Sequence, residues 1–153
     1  MVAAAEARGA RVIVNDRVDL ARLSGAAGAH VGQDDIPPHA ARVQLGPAAI
    51  VGFSTHTIGQ IEAAVREPIT YIAVGPVFGT TTKATGYEAV GLELVRAAVA
   101  RAGGLPVVAI GGITLERATE VLAAGASAVA VIGDLMLGGD PATRVAAYCR
   151  ALM

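Results

Sequence analysis

The chain has 153 residues, of which 54% are hydrophobic and 16% charged, so we expect one folded domain over residues 1–153 and not a disordered segment. The net charge is −1, the pI is near 6.3 and the sequence has no basic stripe, and these features argue against a nucleic-acid partner. The single cysteine, Cys149, excludes an intrachain disulfide and fits a reducing, cytoplasmic compartment. The longest uncharged run is too short and too interrupted by glycine to cross a membrane.

Short β-branched segments alternate with Ala- and Leu-rich amphipathic segments along the whole chain. A first helix is predicted at residues 2–8, with no strand before it. The strands are then predicted at residues 11–15, 29–32, 50–54, 71–75, 107–110 and 128–132. The helices that follow them are predicted at residues 18–24, 36–43, 57–66, 92–102, 115–124 and 141–152. Such alternation predicts an α/β fold with a parallel sheet and right-handed crossovers.

The residues at the strand ends distinguish between two α/β architectures. Polar residues or glycines follow nearly every predicted strand at its carboxyl end. A doubly wound sheet gathers functional residues at one switch point, whereas every βα loop of a (βα)8 barrel can reach one central site. The pattern therefore favours a TIM (βα)8-barrel type of phosphate-binding fold. It is an incomplete barrel, since about six of eight βα units are present and the chain opens with a helix.

Asp16 and Asp35 follow two successive predicted strands. Neighbouring barrel strands would place both carboxylates on one rim, with no histidine or cysteine expected nearby, and this arrangement suits a hard cation such as Mg²⁺. The alternative is that each aspartate caps the helix after it, because aspartate is a favoured N-cap residue.

Three further segments carry groups that bind phosphate. The sequence GPVFGTTTK, residues 75–83, supplies hydroxyls and one lysine, and it begins a loop longer than a βα connection needs. AIGGIT, residues 109–114, and AVIGDL, residues 130–135, are consecutive glycine-containing junctions between a strand and a helix. In GFSTHT, residues 52–57, Ser54 could donate to a phosphate, whereas we expect His56 to be a half-exposed helix residue. His30 alternates with Val31 on its strand and is expected to pack.

Taken together and in order, the segments VNDR, HVGQDD, GFSTHT, GPVFGTTTK, AIGGIT and AVIG resemble those of thiamine phosphate synthases. The resemblance covers nearly all of the chain from about Ala4. It implies a (βα)8 barrel that joins a thiazole phosphate to a pyrimidine pyrophosphate, forming thiamine monophosphate and releasing pyrophosphate. The small molecules are then the partners of the protein, with Mg²⁺ as its cofactor.

The resemblance also implies a role for individual residues. Asn15 would contact the pyrimidine, and Asp16 and Asp35 would hold Mg²⁺. Ser54 and Lys83 would bind the pyrophosphate. The thiazole phosphate would be bound by Thr80, Thr81, Thr82, Gly112, Ile132 and Gly133.

The sequence departs from the family pattern in three places. Gly79 stands where proline is frequent and Gly133 where serine is frequent. The first two strands are absent, and with them a Gln-x-Arg-x-Lys stretch, so we expect a truncated barrel with open edges that favour pairing, for instance as a homo-oligomer. Two alternatives therefore stay open, a related thiazole tautomerase and a non-catalytic phosphate-binding remnant.

Overall fold

The computed structural model describes residues 1–80, 86–137 and 139–152. The strands within them are β1 Ile13–Asn15, β2 Gly28–Val31, β3 Ile50–Thr55, β4 Tyr71–Val74, β5 Val107–Ile110 and β6 Ala128–Ala130. The helices are α1 Val2–Glu6, α2 Val18–Ser24, α3 Pro38–Leu45, α4 Ile58–Ala64, α5 Gly91–Arg101, α6 Leu115–Ala123, α7 Gly133–Met136 and α8 Pro141–Leu152. None of these helices combines the length and the apolar character that crossing a membrane requires.

The six strands form one parallel sheet in the order of the sequence, from β1 to β6. Each strand pairs with the next one along the chain, and each of the five connections between strands carries one helix in the described part of the chain. All carboxyl ends therefore lie at the same edge of the sheet, which is the arrangement that an α/β barrel uses for its site. The predicted α/β class and the six βα units are confirmed.

The core lies between the sheet and the helices. The fully buried side chains include Val51, Ile72 and Val74 from the strands. Helix α4 buries Ile61 and Ala64, three residues apart, and α5 and α6 each bury a pair at the same spacing. That spacing places both members on one helix face. One small residue in each pair lets the helix approach the sheet closely, and each buried valine or isoleucine contributes about 1.5–3 kcal/mol.

Several boundaries differ from the predictions by one or two residues, among them those of β6 and α3. Strand β6 ends at Ala130, so the predicted extension through Ile132 is wrong, and Ile132 precedes a four-residue helix, α7, that the sequence analysis missed. Helix α3 begins at Pro38 and not at Ile36, because a residue before proline is driven out of the helical region and the chain has prolines at both 37 and 38.

Candidate functional site

A cavity of about 660 Å³ opens at the carboxyl edge of the sheet. The segments after all six strands contribute to its wall, so the expected convergence of βα loops is present in the structure. Every predicted site residue that the structure describes lines this cavity: Asn15, Asp16, Asp35, Ser54, Thr80, Gly112, Ile132 and Gly133. The other three predicted residues, Thr81, Thr82 and Lys83, lie outside the described residues.

Asp16 has an unusual backbone conformation. Its φ of 61° lies in the left-handed region, where it is the one non-glycine residue of the described chain. The backbone N–H of Asp16 donates to the carbonyl oxygen of His30 at 2.8 Å, which fixes this turn against β2. Such a conformation costs about 1 kcal/mol for an L-residue, and it is found preferentially at functional sites.

The two predicted metal ligands do not cap helices. Arg17 occupies the N-cap of α2 without a side-chain cap bond, and Pro37 occupies the N-cap of α3. Asp35 instead accepts the N–H of Gly32 at 2.7 Å through Oδ2, which turns the loop after β2. The capping alternative for Asp16 and Asp35 is therefore wrong.

The carboxylates do not form a cage of protein ligands. Among the described residues, no group of three or more His, Cys, Asp or Glu side chains could hold a metal ion. Mg²⁺ does not need such a group, since it commonly binds one or two carboxylates together with waters and substrate phosphates. Asp16, Asp34 and Asp35 all line the cavity, and carboxylate oxygens are the ligands that a hard divalent cation prefers.

His30 is part of a hydrogen-bonded chain, which the sequence analysis did not anticipate. Its Nε2 lies 2.8 Å from Ser54 Oγ, and its Nδ1 lies 2.9 Å from Tyr71 Oη. The imidazole also stacks on the Tyr71 ring, with centroids 5.5 Å apart. The sequence offered one signal for this arrangement: all three residues lie in strands that neighbour one another in the chain.

His56 lies before α4 and lines the cavity, so it is not the helix residue we expected. Its Nδ1–H donates to the Gly75 carbonyl oxygen at 2.5 Å, and its ring stacks on Tyr87 with centroids 3.7 Å apart. Thr57 caps α4 by accepting the N–H of Gln60 at 3.2 Å. His56 thereby ties the end of β4 to the later part of the long loop.

The glycine-rich junction after β5 packs against the start of the long loop after β4. The N–H of Phe78 donates to the Gly111 carbonyl oxygen at 3.0 Å. Gly112 has a φ of +62°, and a Cβ built on it would lie 2.4 Å from the Gly79 carbonyl oxygen. Only glycine fits both the conformation and the contact, so the two predicted phosphate loops form one continuous wall.

Arg117, on α6, is a cavity residue that the sequence analysis missed. Its Nη1 donates to the Gly112 carbonyl oxygen at 3.1 Å, and its guanidinium lies 4.6 Å from the centroid of the Phe78 ring. Among the described residues, it is the one lysine or arginine in the cavity wall. The only available signal was its place three residues after Thr114, in the first turn of a helix that follows the Gly-Gly pair.

A buried ion pair supports the loop after β6. The Asp134 side chain is only 5% exposed. Arg144 Nε and Nη2 donate to its two oxygens at 2.9 and 3.0 Å, and Tyr148 Oη donates at 2.6 Å. The Arg144 hydrogen bonds are the main reason that the pKa of Asp134 lies below its ordinary value. Helix α8 therefore fixes the segment that begins with Ile132 and Gly133.

A scan against protein families matches residues 1–135 to the model of thiamine monophosphate synthase. The chain belongs to the thiamine monophosphate synthase family. This membership agrees with the resemblance drawn from the ordered motifs, and it covers five of the six βα units and the loop after β6.

Relatives of this family named thiamine-phosphate synthase are 44% identical over 141 residues in Koribacter versatilis and 46% identical over 143 residues in Roseiflexus castenholzii. These alignments cover 92% and 94% of this chain but 65% and 62% of the relatives, so the chain spans less than two thirds of their length. A solved thiamine phosphate pyrophosphorylase from Pyrococcus furiosus has a TM-score of 0.82 at 32% identity, covering 95% of this chain and 70% of that one. The six-stranded α/β sheet thus has the fold of the corresponding part of that protein.

Proposed function

We propose that the chain is a transferase of thiamine biosynthesis. It condenses 4-methyl-5-(2-phosphooxyethyl)thiazole with 4-amino-2-methyl-5-(diphosphooxymethyl)pyrimidine to give thiamine monophosphate and pyrophosphate. One observation carries the proposal: in a member of this family, a single cavity of about 660 Å³ is lined by both candidate anion sites. Such a volume lies within the range of pockets that enclose small organic ligands.

One end of the cavity would bind the pyrophosphate together with Mg²⁺. Asp16, Asp34 and Asp35 would repel a bare pyrophosphate, so an anion bound beside them needs a cation between. Asp16 and Asp35 are the proposed ligands of Mg²⁺. The bound ion would neutralise the charge that develops on the departing pyrophosphate.

The polar side chains beside that end would orient the pyrimidine substrate. Asn15 would contact the ring, and the Ser54 hydroxyl would donate to a pyrophosphate oxygen. Lys83, outside the described residues, would add a positive charge there by analogy with the family. The methylene–oxygen bond breaks, pyrophosphate leaves with the electron pair, and the thiazole nitrogen forms the new bond to the methylene. Holding both partners in one cavity supplies much of the acceleration.

The other end of the cavity would bind the phosphate of the thiazole. Backbone groups of Gly112, Ile132 and Gly133 and the hydroxyls of Thr80, Thr81 and Thr82 are the proposed contacts. Gly133 lacks the hydroxyl that the family often places there, and Arg117 can supply a charge-assisted donor at the same end. The two anion sites would then be held apart, with the reacting atoms between them.

A cytoplasmic location belongs to the same proposal. Cys149 is exposed and unpaired, which suits a reducing compartment. Association into a homo-oligomer would cover the sheet edges formed by β1 and β6 in the described part of the chain.

The test is a product assay on the purified chain with both substrates and Mg²⁺. We expect thiamine monophosphate and pyrophosphate in equal amounts by mass spectrometry and phosphate analysis, and no product when a chelator removes the metal. Isomerisation of a thiazole phosphate without the pyrimidine would favour the tautomerase. Binding of both ligands without any product would favour the phosphate-binding remnant. Product formed only by a chain extended before Met1 would assign the reaction to that longer chain.

A further inference from the structure

We propose that Tyr71 and His30 are positioning residues that turn the hydroxyl hydrogen of Ser54 toward the leaving pyrophosphate. This inference rests on the proposed function for the identity of the anion. The arrangement of the three side chains is a property of the fold, so it can be tested without turnover.

The three side chains lie on one face of three adjacent strands. His30 on β2 is in register with Gly52 on β3, and Gly52 is in register with Tyr71 on β4. Ser54 comes two residues after Gly52, so it faces the same side one step nearer the carboxyl edge. This register brings the imidazole of His30 to the Ser54 hydroxyl, 24 positions away in the chain, and to the Tyr71 phenol, 41 positions away.

Gly52 makes this arrangement of the three side chains possible. A Cβ built on Gly52 would lie 2.1 Å from Tyr71 Cζ and 2.3 Å from His30 Nδ1. The two rings therefore meet directly over the glycine, where any side chain would separate them. Because the space for this contact depends on a glycine at position 52, we take the contact of His30 with Tyr71 to be specific and not incidental packing.

The hydrogen bonds have a preferred direction. Tyr71 is half-buried, and burial raises the pKa of its phenol, so the phenol keeps its hydrogen and needs an acceptor. Donation from Tyr71 to Nδ1 of His30 leaves the hydrogen of the neutral ring on Nε2. Nε2–H then donates to Ser54 Oγ, and the hydroxyl hydrogen of Ser54 can point to a substrate oxygen. In the opposite tautomer, that hydrogen would point at His30.

This direction matters because the pyrophosphate gains negative charge as it leaves. A hydroxyl already oriented as a donor stabilises that charge without reorganising during the reaction. Without Tyr71, the ring can adopt the opposite tautomer and draw the Ser54 hydrogen away from the anion. Neither Tyr71 nor His30 needs to touch the reacting atoms for this effect.

The first measurement is ¹⁵N NMR of the histidine side chains in the intact chain, without ligand. The chain has three histidines, and His39→Gln and His56→Gln assign the remaining signals to His30. We expect the hydrogen on Nε2 in the wild type and a shift of population toward Nδ1–H in Tyr71→Phe. The matched control is Tyr148→Phe, which removes a hydroxyl bonded to Asp134 and should leave the His30 tautomer unchanged. An Nδ1–H ring in the wild type, or no change in Tyr71→Phe, would overturn the proposal.

The second measurement is calorimetric binding of inorganic pyrophosphate with Mg²⁺. We expect Tyr71→Phe to weaken binding by about 10-fold, in line with the loss of one oriented charge-assisted hydrogen bond. The same substitution in a Ser54→Ala background should have no further effect, because its influence acts through the hydroxyl. If Tyr71→Phe weakens binding by the same factor in the Ser54→Ala background as in the wild type, the proposal is contradicted. If these results hold but no thiamine monophosphate forms, the proposed function fails and the positioning of Ser54 stands.

Discussion

Asp16→Asn is expected to lower kcat/KM for thiamine monophosphate formation by about 100-fold or more, equivalent to roughly 2.7 kcal/mol of transition-state stabilisation. The change removes one negative charge from the proposed Mg²⁺ site and keeps the size of the side chain. Asparagine tolerates the left-handed backbone region nearly as well as aspartate, so the φ of 61° is retained. Asp35→Asn should have a similar effect, since the two carboxylates are the proposed ligands of the same ion.

The measurement is initial rate against Mg²⁺ concentration for each variant. Both variants should need more Mg²⁺ for half-maximal rate and recover part of their activity at high Mg²⁺. Asp19→Asn is the matched control, because Asp19 is an exposed aspartate on α2 paired with Arg17 and should keep the wild-type Mg²⁺ dependence. Unchanged Mg²⁺ dependence in Asp16→Asn and Asp35→Asn would remove both residues from the metal site.

Arg144→Met is expected to destabilise the fold by about 2 kcal/mol at neutral pH, because it removes two charge-assisted hydrogen bonds from the Asp134 carboxylate and leaves it without its charged partner. The pKa of Asp134 is lowered in the folded protein, so the stability from its ionised form is present above the ordinary aspartate pKa of about 4. That stability is lost as the pH falls through the folded-state pKa. The difference in unfolding free energy between Arg144→Met and the wild type should therefore become smaller as the pH falls below about 4.

Urea unfolding at several pH values measures this difference. Arg96→Met is the matched control, since it breaks an exposed pair between Arg96 and Glu93 and should change the unfolding free energy by less than about 0.5 kcal/mol. Equal small losses in both variants, or a gap that widens in acid, would contradict the assigned role of Arg144. Loss of the loop support should also weaken binding of the thiazole phosphate if Gly133 is part of its site, as we propose.

Most of the fold could be predicted because local signals and the global arrangement agree. Residues 107–110 form a β-branched run bounded by Pro106 and Gly111, and the strand has these limits. Helix α7 could not be predicted, since four residues carry too little periodicity. Its place is set instead by the buried bonds of Asp134 to Arg144 and Tyr148, which join residues 10 and 14 positions apart.

Residues of the candidate site could be predicted where a polar residue lies at the carboxyl end of a predicted strand. Asp16, Asp35 and Ser54 were found in this way, and the structure brings them to one cavity. His30 and Tyr71 lie within strands, so their meeting depends on sheet register and on the missing side chain at Gly52. The register between strands cannot be read from a single sequence, so the sequence did not show that Gly52 lies between these two rings.

The central claim is that one cavity holds two anions at opposite ends. Its most direct test is a crystal structure of the chain grown with Mg²⁺, pyrophosphate and thiamine monophosphate. We predict a metal ion between Asp16, Asp35 and the pyrophosphate, and the phosphate ester of thiamine monophosphate at the backbone of Gly112 and Gly133. Pyrophosphate and phosphate ester bound at the same loop, or a metal ion away from both carboxylates, would contradict the account.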